Sequence, residues 1–126
     1  MNVVDSSGWL EYFGAGANAD FFAPALKAKS ELVVPTVSIY EVFKLVFQQR
    51  GEGDALKAVA LMQQGTVAEL TSTIALDAAR TSVQLRLPMA DSIILATARA
   101  HGATLWTQDA DFAQVEGVEY VVRRSD

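Results

Sequence analysis

The chain has 126 residues, 51% of them hydrophobic and 20% charged, with a formal net charge of −5 and no cysteine. This fits one domain, residues 1–126, with a real core rather than a disordered segment, and it excludes disulfide staples, thiolate zinc sites and cysteine nucleophiles. Met1-Asn2-Val3-Val4-Asp5 lacks the basic-then-apolar pattern of a secretory signal, and no apolar run approaches the ~18–20 residues of a membrane span, so a soluble cytoplasmic protein with no membrane partner is expected.

In chain order, Val3–Asp5 reads as a short apolar strand, followed by a helix over Ser7–Phe13 that Gly14 and Gly16 end. A second helix is expected over Asp20–Ser30 and a buried strand over Leu32–Pro35, with Thr36 capping a long helix to about Arg50. Gly51 and Gly53 separate it from a helix over Asp54–Gln64. Thr66–Leu70 alternates like a strand, and Ser72 or Thr73 caps a helix to about Arg86. Pro88 restarts a helix that ends at His101-Gly102. Thr104–Thr107 and Glu119–Val122 are the closing strands, with a short turn or helix at Ala110–Gln114 between them. Strands separated by helices imply a mainly parallel sheet covered on both faces, in which sites form beyond the carboxyl ends of the strands.

Four carboxylates interrupt apolar runs: Asp5 after Val3-Val4, Glu41 within Ile39-Tyr40-Glu41-Val42-Phe43, Asp91 before Ser92-Ile93-Ile94-Leu95, and Asp109 after Leu105-Trp106-Thr107-Gln108. An ionised carboxylate in a low-dielectric setting needs a partner, and several together repel unless a cation holds them. Connectivity brings all four to one edge. Asp5 and Asp109 end strands, Glu41 lies in the second turn of a helix leaving a strand, and Asp91 opens a helix that must run back to the opposite edge. The all-oxygen donor set suits Mg2+ or Mn2+ rather than zinc. Bound divalent cations would also cancel most of the acidity that otherwise argues against a nucleic-acid partner.

Each acid has a plainer reading. Asp5 could cap the first helix, Glu41 could pair with Lys44 on the surface, Asp91 could complement a helix dipole, and Asp109 and Asp111 could be turn residues. His101, the only histidine, suits a helix C-terminus and is given a structural role, so Ser6 or Ser7 would have no histidine base as a nucleophile. Lys44 and Arg99 are candidate phosphate contacts, and Arg123-Arg124 reads as a solvated tail.

The ordered set VVDSS, SIYEV, ADSIILATA and LWTQDADF resembles the PIN-domain nucleases, most of all the small VapC-type toxins of bacterial toxin–antitoxin pairs, over the whole chain. The resemblance implies an α/β/α sandwich and a Mg2+- or Mn2+-dependent endoribonuclease that acts on RNA through metal-activated water and is neutralised by a cognate antitoxin. It matches Asp5, Glu41, Asp91 and Asp109 to the family's acidic quartet and Thr107 to the hydroxyl residue that orders the site, with Ser6 beside it. Asp111 could replace or assist Asp109 as metal ligand, because TQDADF is shorter than the T-R-N-x-x-D-F form. A homodimer is expected from the excess apolar surface of the Val37–Phe47 helix, and an antitoxin groove from Trp9, Tyr12, Phe13, Phe21 and Phe22. The competing readings are a catalytically inactive PIN-like binding module and a receiver-type signalling domain. The latter lacks paired acids at the first strand and a lysine after the last.

Overall fold

Both valines of strand β1 (Asn2–Val4) are fully buried, because each meets a different layer of helices. In the computed structural model, which describes residues 1–124, β1 pairs in parallel with β4 (Thr104–Thr107), and β4 in turn with β5 (Val118–Tyr120). Strand β2 (Val33–Pro35) pairs in parallel with β3 (Thr66–Ala68), and a parallel bridge from Asn2 to Leu32 joins the two groups in the order β3–β2–β1–β4–β5. The chain therefore steps outward from β1 to β3, then crosses back over β1 to begin β4. Neighbouring β1 and β4 send their connections in opposite directions, which opens a crevice at their carboxyl ends.

Successive strand residues point to opposite faces, and the two cores follow that alternation. Val4, Val34 and the half-buried Trp106 face α1 (Ser6–Phe13), α2 (Ala19–Lys27), α3 (Thr36–Arg50) and α4 (Glu52–Met62), packing with Trp9, Phe22, Val42 and Met62. Val3, Val33 and Leu105 face α6 (Met89–Ala100), with Ile94, Leu95 and Phe112. Behind it, Ile74 and Ala78 of α5 (Ser72–Leu85) pack on Ala96. This is the expected three-layer α/β/α sandwich around a parallel sheet. Gly8 lets α1 lie tight on β1, since a Cβ there would fall 2.5 Å from Val4 Cγ1. Among the described residues, no helix is long and apolar enough to cross a membrane.

Several boundaries differ from the sequence expectations. Asp5 lies just beyond β1, in the cap position of α1. Helix α2 stops at Lys27, before a 3₁₀ turn over Lys29–Glu31. Pro35, not Thr36, occupies the cap position of α3, and no side chain caps that helix. Helix α4 starts earlier, at Glu52, because Gly51 adopts φ +88° and makes the break alone. Thr71 rather than Ser72 or Thr73 caps α5, accepting the Ile74 N–H, and β3 ends at Ala68.

Candidate active site

Asp5 is built into the crevice by backbone first. Its N–H continues the ladder to Trp106 O at 3.1 Å. Its Oδ1 then accepts the Gly8 N–H and the Ser7 hydroxyl, each at 2.9 Å, so the helix-capping reading is correct as far as it goes. Its Oδ2 turns the other way, accepting the Thr107 hydroxyl at 2.6 Å. Thr107 Oγ1 also accepts the Asp109 N–H at 2.9 Å. Asp5 is 3% exposed, and burial pushes its carboxyl above the usual range against the pull of these hydrogen bonds, with Asp109 adding to the rise.

Glu41 reaches the same edge from α3. Its Oε1 accepts the Ser6 hydroxyl at 2.6 Å. The alternative surface pair with Lys44 does not form: the one ion pair among the described residues joins Arg80 to Asp77, and the Lys44 ammonium lies over the Tyr40 ring, 5.8 Å from its centroid.

Asp91, Asp109 and Asp111 form the tight cluster. Each offers a carboxylate oxygen, and the three oxygens lie within 4.8 Å of one another. Asp91 stands in the first turn of α6. Asp109 precedes the 3₁₀ turn Ala110–Phe112, its Oδ1 accepts the Asp111 N–H at 2.9 Å, and fully buried Phe112 anchors the turn. The Asp91 carboxyl is pushed up to about 7, first by burial and then by the charges of Asp109, Asp5, Asp111 and Glu41. The other four carboxylates therefore all act on Asp91, although Asp5 and Glu41 stand outside the three-oxygen cluster.

A divalent cation fits this arrangement. Octahedral Mg2+ binds oxygens at ~2.1 Å, which puts opposite ligands ~4.2 Å apart, inside the 4.8 Å within which these three oxygens lie. The donors are all hard oxygens, and the lone histidine lies at the far end of α6, where His101 Nδ1 meets Thr97 O at 2.9 Å.

Other expectations are corrected. Arg99 is no phosphate contact at this site, because it sits two turns of α6 beyond Asp91, about 12 Å along the helix, in a cleft with Asp77 and Arg80. Of the aromatic residues expected to line a partner groove, Trp9 and Phe22 are buried and Phe21 packs on Trp106 with centroids 5.2 Å apart, whereas Phe13 does line one. A groove of ≈ 550 Å³ runs instead between α1, α3 and α4, walled by Leu10, Phe13, Leu45, Val46 and Leu61, with Ser7 and Gln108 among its lining residues. Sequence reasoning missed Asn18 and Gln108, which are almost wholly buried and bonded to each other at 2.9 Å. Neutral amides in a loop and beside a strand end carry no sequence signal that would pair them.

Residues 3–118 match the PIN domain family. No curated protein matches the chain. Among solved structures, the chain is similar to a toxin–antitoxin complex from Klebsiella pneumoniae, at 22% identity and TM-score 0.79, covering 94% of this chain and 95% of that one. It is similar to Mycobacterium tuberculosis VapC20, a sarcin–ricin-loop-cleaving toxin, at 19% identity and TM-score 0.78, covering 94% and 98%. A DNA-bound VapBC from Salmonella typhimurium has TM-score 0.71 at 12% identity, covering 97% and 98%.

Proposed function

The chain belongs to the PIN domain family, and from that premise we propose that it is a Mg2+- or Mn2+-dependent endoribonuclease, a single domain over residues 1–126 that acts as the toxin of a toxin–antitoxin pair. One observation carries this reading: three carboxylate oxygens of Asp91, Asp109 and Asp111 converge within 4.8 Å at the switch point of the sheet. Asp5 and Glu41 complete the acidic edge, as ligands or through intervening water. When bound, a divalent ion would offset the charge of the scissile phosphodiester and make water a stronger nucleophile.

The chain's own residues do the rest. Thr107 holds Asp5 and Asp109 in fixed orientation through one hydroxyl, and Ser6 does the same for Glu41. The Asp91 carboxyl, raised to about 7, would be held fully ionised by a bound cation, which couples metal affinity to pH. His101 is at the wrong end of α6 to serve as a base for the RNA 2′-hydroxyl, which favours water as the attacking group and 5′-phosphate, 3′-hydroxyl products.

Two partners follow. The similar solved structures include toxin–antitoxin complexes, and the apolar groove between α1, α3 and α4 suits an amphipathic antitoxin segment. On the outer side of α3, Tyr40, Phe43 and Phe47 make an exposed aromatic surface that suits a second copy of the chain. The work place of such a pair is the cytoplasm.

The test is cleavage of single-stranded RNA by the purified chain. Activity should need Mg2+ or Mn2+, stop with chelator, and be lost in Asp91→Asn. Chelator-resistant cleavage, or a fully active Asp91→Asn variant, would overturn the reading.

A further inference from the structure

Asn18 occupies the cap position of α2, the place where asparagine ordinarily accepts a helix N–H. It makes no such bond. Its side chain turns inward instead and is 3% exposed, with Nδ2 donating to Gln108 Oε1 at 2.9 Å and to Val122 O at 3.0 Å. Its own N–H donates to Glu11 Oε2 at 2.8 Å, fixing the loop against α1. Segments 90 and 104 residues away are thus tied to one amide.

Gln108 lies between Thr107, the last residue of β4, and Asp109, whose backbone is extended. Adjacent residues of such a segment face opposite sides. On the front, Thr107 Oγ1 bonds Asp5 and the Asp109 N–H. On the back, Gln108 Oε1 accepts from Asn18 and its Nε2 donates to Ser7 O at 3.5 Å, while in the sheet plane the Val121 N–H donates to Thr107 O at 3.1 Å. The segment that carries Asp109 is held from both faces, and the rear hold originates in a loop with no acid of the cluster on it.

We propose that Asn18 is a positioning residue for the acidic cluster, acting through Gln108 to fix where Asp109 presents its carboxylate. The proposal rests on the reading of that cluster as a divalent-metal site. Buried amides cost stability when unpaired, so a melting shift alone would not separate positioning from packing. Metal affinity and the exchange rate of the Asp109 N–H do separate them.

The experiment measures Mn2+ binding by calorimetry, Asp109 amide exchange in the metal-free protein, and melting temperature, for wild type, Asn18→Ala, Gln108→Ala and the double variant. Thr71→Ala is the control, since it deletes a 3.2 Å cap bond to the Ile74 N–H at the start of α5, the far end of that helix from the turn that leads to Asp91. Each single variant should weaken Mn2+ binding about tenfold, the lower end for groups that orient metal ligands. In Mn2+ affinity the double variant should fall short of the product of the two single effects, because both remove the Asn18–Gln108 bond, while each also loses one bond of its own, to Val122 O or to Ser7 O. Asp109 amide exchange should speed up in all three, and Thr71→Ala should lower the melting temperature alone. Wild-type Mn2+ affinity and unchanged Asp109 exchange in Asn18→Ala and Gln108→Ala, despite a lower melting temperature, would overturn the proposal. If Asn18→Ala does not fold, Gln108→Ala, which keeps the Asn18–Val122 bond, decides by the same criterion. Failure of wild type to bind Mn2+, or unimpaired binding by Asp91→Asn, would instead overturn the metal-site reading and this proposal with it.

Discussion

Thr107 donates its hydroxyl to Asp5 Oδ2 at 2.6 Å across the crevice between β1 and β4. The same oxygen takes the Asp109 N–H, so one buried side chain couples an acid after the first strand to an acid after the fourth. Thr107→Val keeps the shape and removes both bonds. It should destabilise the protein by roughly 1–3 kcal/mol, the usual range for stranding buried polar groups. RNA cleavage should fall by about 10–100-fold, as for other groups that orient metal ligands. Thr107→Ser should restore both, as read by denaturant melts and initial rates.

Asp91 gives the metal-free protein a pH dependence of definite sign. Its carboxyl, ordinarily at 3.8, is raised to about 7 by burial and by the neighbouring acids. Between those values the folded chain keeps a proton that the unfolded chain has lost. The stability this contributes is fully present below the unfolded value and disappears as pH rises through about 7. Asp5, also raised, acts in the same direction. Without metal, wild type should therefore melt more easily at about pH 8 than at about pH 5. Asp91→Asn should narrow that difference, and Mn2+ should stabilise wild type more at the higher pH.

The outer face of α3 should hold two copies together. Tyr40 is 63% and Phe47 48% exposed, and Phe43 stacks on Phe47 with centroids 5.7 Å apart. Light scattering should give a dimer for wild type and a monomer for Phe47→Glu. A monomeric wild type contradicts this assignment.

The groove between α1, α3 and α4 should be separable from catalysis. Leu45→Glu and Leu61→Glu alter partly exposed walls of that groove without touching the acids. Both should abolish co-purification with a co-expressed antitoxin while RNA cleavage stays at the wild-type rate. Undiminished capture would place the antitoxin elsewhere.

The layer order and the edge at which Asp5, Asp91 and Asp109 gather were legible from connectivity alone, because alternating strands and helices leave few parallel topologies. Glu41 was legible as an oddity in an apolar helix, but its partner was not. Ser6 is 35 residues away in sequence, and the nearer Lys44 made the plainer pairing look reasonable. Helix starts were read one or two residues off where several hydroxyls compete, as at Thr71, Ser72 and Thr73. Trp9 and Phe22 face the core while Phe13 lines the groove, a division that composition does not reveal because it does not say which face of a short helix meets the sheet. Asn18 and Gln108 were invisible for a deeper reason: a buried amide pair is made by tertiary folding, and neither residue type announces burial.

On the proposed function, the acidic cluster at the β1–β4 crevice hydrolyses RNA with a divalent cation and water. Mapping the ends of the products made by purified protein tests it most directly. With Mg2+ or Mn2+ the fragments should carry 5′-phosphates and free 3′-hydroxyls, and Asp91→Asn or added chelator should leave the RNA intact. Fragments ending in 2′,3′-cyclic phosphates, formed by the pure protein in chelator, would contradict the claim.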